Sequence, residues 1–406
     1  MSKKVTLVKK MRLVILGETK EEINEKYKFI RDSQYAQYQG LNTAMGILAS
    51  AYLASGRDIK SEMFKEAQKS LTNSNPLFDF IEFGKGTDSK SAITQRVKKD
   101  FSTSLKNGLA KGERSITNYK RDYPLLTRGR SLKFHYEDDY VLIKWVNGIT
   151  FKVVTGNNPS KNMELKQTLH NIITGKYKVN ESSFYFDKNK HLMLNVNLTF
   201  EKECDDNYVE GRTLGVDLGI AIPAYMCLSD DTYKRQGLGS AEDFVRVRQQ
   251  MKKRRTQLQK KLVMTNGGKG RNKKLKAMDQ FKEKERNFAK TYNHQLSHKI
   301  VKFAKEHKCQ YINLEKLTKD GFDNALLGSW SYYELQTMIK YKADREGIEV
   351  RFINPAYISQ KCSKCGHIHS DNRKTQANFK CIECGFEIGA DWNAAINIAR
   401  SDEFVK

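Results

Sequence analysis

Two hydrophobic periods alternate along the chain, and their order predicts its architecture. Residues 4–16 read as strand, with apolar pairs Val5, Val8, Leu13 and Ile15 broken by lysines and ended by Gly17. Thr19-Lys-Glu-Glu22 is a capping box opening a helical pattern that puts Ile23, Tyr27, Ile30 and Tyr38 on one face. Helical spacing continues through 41–53, 61–70 and 92–108, with a loop expected over 70–88, where asparagine, serine, Pro76 and glycine gather. From Ser115 the period becomes two. Leu132–Tyr136 and Tyr140–Trp145 alternate, Asn147-Gly148 is a tight-turn signal into Ile149–Val154, and Ser183–Phe186 and His191–Leu198 flank a second turn at Asp187–Lys190. These positions predict a β-barrel completed by the first strand, with a helical region at 17–112 inserted after it.

A third region begins near Gly211. Thr213–Gly219 runs into Ile220–Met226 without a long loop, an antiparallel hairpin. Two basic helices follow, joined at Gly267-Gly-Lys-Gly270, then an amphipathic helix over 292–307. A strand at Cys309–Glu315, a helix at Ser331–Glu346 and a strand over 348–354 stopped by Pro355 complete the pattern. The fold class expected is α+β and multidomain.

Charge narrows the partner. The 406 residues carry 72 Lys+Arg against 47 Asp+Glu, a net +25, which favours a polyanion. Neither a run of 18 or more apolar residues nor a signal-peptide pattern is present, so nucleic acid is favoured over a membrane surface and a cytoplasmic location is expected. Between Gln249 and Lys290 stand fifteen Lys/Arg and three acidic residues, Lys252, Lys253, Arg254, Arg255, Lys269, Arg271, Lys273 and Lys274 among them. Cations so close together repel unless phosphates neutralise them. Arg114, Tyr119, Lys120 and Arg121 interleave basic and aromatic side chains where the helical region returns to the strands, a second candidate for gripping single-stranded or guide RNA.

Four of the seven cysteines form Cys362-x2-Cys365 and Cys381-x2-Cys384, fifteen residues apart. This is zinc-ribbon spacing, and four thiolates close a structural shell. His367 and His369 lie beside it and are read as non-ligands. Cys227 and Cys309 lie in apolar strands, and Cys204 stands alone; none is given chemistry. His294 and His298 have metal-pair spacing but no third ligand nearby, and Trp330, Tyr332 and Tyr333 read as helix-packing core.

Three carboxylates sit at element edges: Asp217 between Gly215 and Gly219, Glu315 ending a strand, and Asp391 opening a helix. Asp391 alone could be a helix cap. In this order, strand hairpin, strand ending in Glu, helix carrying Asp, they match a ribonuclease H-like fold. Three such groups suit two magnesium or manganese ions about 3.5–4 Å apart that hydrolyse a phosphodiester.

Gly215-Val-Asp-Leu-Gly219, Asn313-Leu-Glu-Lys-Leu317, the cysteine pairs and Ala390-Asp-Trp-Asn-Ala-Ala395 resemble the RuvC domain of the RNA-guided nuclease superfamily. That superfamily holds the transposon-encoded TnpB proteins and the miniature type V-F CRISPR effectors. The likeness is specific over 211–400 and architectural before that. It implies a wedge-type barrel (1–16 and 113–205) with a helical recognition insertion (17–112), a RuvC nuclease (206–360 and 388–406) and a zinc ribbon at 361–387 that binds target nucleic acid. It further implies Asp217, Glu315 and Asp391 as metal ligands, Arg373 at the scissile phosphate, a structured guide RNA, and double-stranded target DNA with its displaced strand. The expected activity is RNA-guided DNA cleavage of the compact CRISPR type. A TnpB-type nuclease, a guided binder that does not cut, and a resolvase or transposase without guide RNA stay open, as does monomer against RNA-bridged homodimer.

Overall fold

The structure is a computed structural model describing residues 2–84, 88–156, 159–203, 207–219, 222–265, 267–316, 332–375 and 377–405, apart from the side chains of 2, 3, 159–161, 203, 241 and 243–245. Cys204, Ile220 and Trp330 lie outside the described residues. The chain divides into two compact units, Lys4–Glu201 and, in the main, Lys202–Lys406.

The first unit opens with β1 (Ser2–Ile15), followed by α1 (Lys20–Ala54), α2 (Glu62–Ser70) and α3 (Asp88–Ser104). The Thr19 hydroxyl accepts the Glu22 N–H at 3.2 Å, and the Glu22 carboxylate reaches back to accept the Glu18 N–H at 2.7 Å. The strands β2 (Leu125–Thr127), β3 (Lys133–Glu137), β4 (Tyr140–Lys144) and β5 (Thr150–Val154) follow. After them come α4 (Pro159–Ile173), β6 (Lys178–Val179), β7 (Ser182–Phe186) and β8 (Leu192–Glu203). Asn147 and Gly148 both have positive φ (54° and 70°) and turn β4 back onto β5.

The eight strands form one sheet in the order β2-β7-β8-β1-β5-β4-β3, with β6 on β8. The first strand thus lies in the middle. Among the described residues no pairing joins β2 to β3, so the hydrogen-bonded path is open. Met11, Leu13 and Ile15 alternate into a core shared with Phe151, Phe184 and Leu194 of the sheet and Ile30, Leu41 and Leu48 of α1. Buried Gln37 stitches α1 to the strand region by donating to the Pro124 carbonyl and accepting from the Leu126 N–H. The short strands β2 and β6 and helix α4 have no counterpart in the sequence reading.

The second unit contains β9 (Val209–Asp217), β10 (Ala224–Leu228), β11 (Arg235–Leu238), α5 (Ala241–Val263) and α6 (Gly268–Glu306). It continues with β12 (Cys309–Glu315), α7 (Tyr332–Arg345), β13 (Glu349–Ile353), β14 (Asn378–Lys380), β15 (Glu387–Gly389) and α8 (Ala390–Arg400). The main sheet has the order β11-β10-β9-β12-β13: the first two pairings antiparallel, the last two parallel. On one face Leu214, Val216, Ile312 and Leu314 pack against Leu296 and Ile300 of α6 and Leu335 and Ile339 of α7. On the other lies α8, where Cys227 meets Ala395 and Ile396. The second basic helix and the amphipathic helix of the sequence reading are one 39-residue helix, α6. No break residue separates Lys290 from Tyr292, and only the later turns are buried. Tyr332 is buried as expected, but Tyr333 is 78% exposed, because its neighbour takes the inward position on α7. Among the described residues no helix is long and apolar enough to cross a membrane.

Candidate functional site

Strand geometry alone brings two carboxylates together. β9 and β12 are parallel, with Leu314 opposite Val216, so Asp217 and Glu315 end side by side at the same sheet edge. Alternation points them away from the Leu214/Val216 core and towards α8. The third carboxylate arrives through a close approach. A methyl group at Gly215 would overlap the backbone of Ala395 and Ala399, so only glycine lets α8 lie directly on β9. Two residues forward along the strand and one turn back along the helix then meet at Asp217 and Asp391. Asn313, beside Gly215 in the ladder, pins the far end of α8 by donating to the carbonyls of Ile398 (2.9 Å) and Ser401 (3.3 Å). The roles of Gly215 and Asn313 depend on contacts that sequence spacing does not reveal. Asp391 is not a cap. Gly389 holds that position and makes no side-chain bond.

Burying three carboxylates has an electrostatic signature. Loss of solvent raises Asp217 to about 7, with the Asp391 charge adding to it, and Arg373 opposes the rise. Burial raises Glu315 to about 8, with Asp217 adding and Arg373 again opposing. Asp391 is raised by burial against the pull of Arg373, whose Nη2 stands 3.9 Å from Asp391 Oδ1. Carboxylates that hold protons this high lack compensating positive charge, and hard oxygen donors with such a deficit suit divalent cations.

The four cysteine sulfurs all lie within 4.8 Å of one another; among the described residues no other set of three or more ligand-type side chains is so tight, the carboxylate trio included. Cys362 is 3.8 Å from Cys384 and Cys365 is 3.6 Å from Cys381. Zn–S bonds of about 2.3 Å at the tetrahedral angle would set sulfurs about 3.8 Å apart, so the cluster fits zinc. His367 and His369 are outside this set; the His369 ring accepts the Asp371 N–H instead.

Side-chain amides tie this module to α8. Asn393 accepts from Ser363 N–H (3.0 Å) and donates to the Lys361 carbonyl (2.8 Å), flanking Cys362, and Asn397 donates to the carbonyls of Ile358 and Lys361. Buried Asn372 donates to the Gln360 and His367 carbonyls and accepts from the Ile382 N–H. It thereby joins both cysteine knuckles, and the next residue is Arg373.

The proposed nucleic-acid residues fare unevenly. Lys252, Lys253, Arg254, Lys269 and Lys273 are exposed on the α5–α6 hairpin. Arg255 is paired with Glu285 at 3.1 Å. Arg271 donates to the Leu262 and Thr265 carbonyls, and Lys274 to the Lys261 carbonyl and the Thr265 hydroxyl, so both close the end of α5. Arg114 and Lys120 are exposed, and Arg121 lies 4.6 Å over the Tyr35 ring. Tyr119 is a correction: it is 3% exposed and its hydroxyl donates to Asp100, because the β-return packs its ring into the core. Cys227 and Cys309 are buried, and burial pushes their thiols up to about 11 and about 12. The His294 ring lies 3.5 Å from the Tyr341 hydroxyl, and its carbonyl accepts from Lys342.

Residues 332–398 match the family model described as Cas12f1-like, TNB domain. A curated relative, the CRISPR-associated endodeoxyribonuclease Cas12f1 of Sulfoacidibacillus thermotolerans, is 34% identical over 333 residues, 76% of each chain. A TnpB-like protein of Methanocaldococcus jannaschii is 27% identical over 39% of this chain and 58% of its own. A cryo-EM structure of a Cas12f1–sgRNA–target DNA complex superposes with a TM-score of 0.78 at 16% identity, over 99% of this chain and 100% of that one, a likeness of fold.

Proposed function

The chain belongs to the Cas12f1 family of CRISPR-associated endodeoxyribonucleases, and from that premise we propose that it cuts RNA-selected DNA at the edge where Asp217, Glu315 and Asp391 converge. The observation carrying this assignment is the trio itself: three carboxylates from two strands and a helix, short of positive charge at one sheet edge. We assign the second unit to an RNase H-like RuvC nuclease with an inserted zinc ribbon. The first is assigned to a wedge-type domain with a helical recognition insertion. The match over three quarters of the chain favours a CRISPR effector over a transposon nuclease, whose relative matches 39%.

Divalent cations held by the three carboxylates would activate water and offset charge on the leaving oxygen. The chain's own residues do the rest. Asp217 and Glu315 are fixed by the ladder, and Asp391 by the Gly215 contact. Arg373, 3.9 Å from Asp391, can donate to a non-bridging oxygen of the scissile phosphate, where charge grows in the transition state. The basic face of α5–α6 offers phosphate contacts that add affinity without reading sequence, while guide pairing selects the target. Four thiolates leave no open position, so zinc would be structural.

The test is target cleavage by the protein purified with its guide RNA, in magnesium. Asp217→Ala should abolish cutting and leave target binding intact. Wild-type cutting by that variant would refute the site, and binding without cutting by the wild type would favour a guided binder. Absence of a discrete copurifying RNA would favour a resolvase or transposase.

A further inference from the structure

The third strand of the second unit's main sheet lays an arginine on the aromatic ring that follows Asp391. Tyr225 on β10 is the register partner of Asp217, and Arg235 on β11 is the partner of Cys227. The Arg235 guanidinium carbon lies 3.0 Å from the centre of the Trp392 ring, and Trp392 directly follows Asp391. Trp392 is itself held: its indole N–H donates to the Thr232 carbonyl at 3.1 Å, and Tyr233 meets it edge-on at 6.4 Å. Burial raises the Tyr225 phenol, with Arg235 opposing the rise and Asp391 adding to it.

Arg235 is exposed, and among the described residues no carboxylate stands within 4.0 Å of it. That is unusual beside an acidic trio, where an arginine would be expected to pair. Stacking uses the π face of the guanidinium and leaves its in-plane N–H fork open at the surface, the geometry that recognises phosphate. Tyr233, 83% exposed, adds an open aromatic ring on the edge of the same Trp392. A stacking surface joined to a cation is the recurring pattern for single-stranded nucleic acid.

We infer that Arg235, clamped on Trp392, grips a backbone phosphate flanking the bond to be cut and so sets the register of the DNA strand over the carboxylates. The inference rests on those carboxylates being the cutting site. Arg235 then acts on strand position, distinct from Arg373, which faces Asp391.

The test is a coupling experiment between protein and DNA. Single-turnover cleavage by the protein–guide RNA complex is measured on targets carrying one neutral methylphosphonate at each position around the cut. Arg235→Ala should slow cutting about tenfold, the scale of one charge-assisted hydrogen bond, and Arg235→Lys should recover part of the rate. At one flanking position the neutral linkage should slow the wild type by a similar factor and leave Arg235→Ala no slower. Arg235→Gln, which keeps a planar polar end on a shorter, uncharged side chain, serves in the same cycle should alanine loosen the sheet. Wild-type rates in these variants, or losses that multiply at every position, would overturn the inference. Asp217→Ala is run alongside. Should it cut normally, the site assignment fails; an inactive Asp217→Ala beside a fully active Arg235→Ala sinks the phosphate clamp alone.

Discussion

Asp217→Asn should make the magnesium-free protein more stable while removing its activity, and the gain should grow with pH. An ordinary aspartate titrates near 3.8; burial and the Asp391 charge bring this one to about 7. The sign follows from proton counting. Between those values the folded chain holds a proton that the unfolded chain has released, so stability falls as pH rises through this window and the whole penalty is present above it. A gap of about 3 pH units corresponds to a ceiling of about 4 kcal/mol at pH 8, of which about half has developed by pH 5.5. Asp217 retains some solvent contact, and about 2 kcal/mol is the working figure. The neutral, nearly isosteric amide removes that penalty and relieves Glu315 of a like charge. In a unit of about 200 residues this is roughly 4–8 °C in Tm. The assay is thermal or urea unfolding at pH 5.5 and 8, with zinc kept and magnesium omitted; added magnesium should then stabilise the wild type more than the variant. An equal gain at both pH values, or a loss at pH 8, would refute the electrostatic account of the trio.

Gly215→Ala should cost ~3 kcal/mol or more, because the methyl meets backbone of α8 rather than a movable side chain; unfolding measurements and loss of cleavage check it, and a neutral effect would show that α8 has room. Cys362→Ser should lower bound zinc and slow cleavage without touching a reacting atom, and normal cutting by demonstrably zinc-free protein would contradict the proposed support. Asn372→Ala removes three hydrogen bonds inside the knuckle and should cost about 2–3 kcal/mol, with cleavage falling more than target binding. Apparent magnesium affinity should rise from pH 6 to 8.5 with proton release, since Asp217 and Glu315 must shed protons held to about 7 and about 8; calorimetry in two buffers of different ionisation enthalpy reads it, and a pH-independent affinity would count against the assignment.

Much of the second unit is legible in the sequence because its signals are local. Asp217 and Glu315 end runs whose strand character is plain from alternation, and cysteine spacing announces its own chemistry. What stayed hidden depends on long-range contact. Tyr119 looks like an exposed aromatic among cations until the fold buries its ring. Arg271 and Lys274 count as free cations in sequence, yet they close the end of a neighbouring helix. Helix α4 and the short strands β2 and β6 carry too few residues, or too weak a period, to stand out from loop. Arg235 was passed over because nothing in a linear reading joins it to Trp392, more than 150 residues away.

The same distinction explains why the cysteine module sits where it does. The chain leaves β13 at Ile353, next to Glu315 in the ladder, and must return to begin α8 at Ala390. An untethered connection of that length would leave the start of α8 poorly fixed, and Asp391 is in its first turn. The sulfur cluster closes the connection, Asn393 and Asn397 fasten it to α8, and Asn372 sets Arg373 against Asp391. The helix is thus held from one side by the metal-site loop and from the other by Gly215 and Asn313. Two independent restraints therefore act on the helix that carries Asp391. Packing and hydrogen bonds of the chain itself thus support the edge proposed to cut.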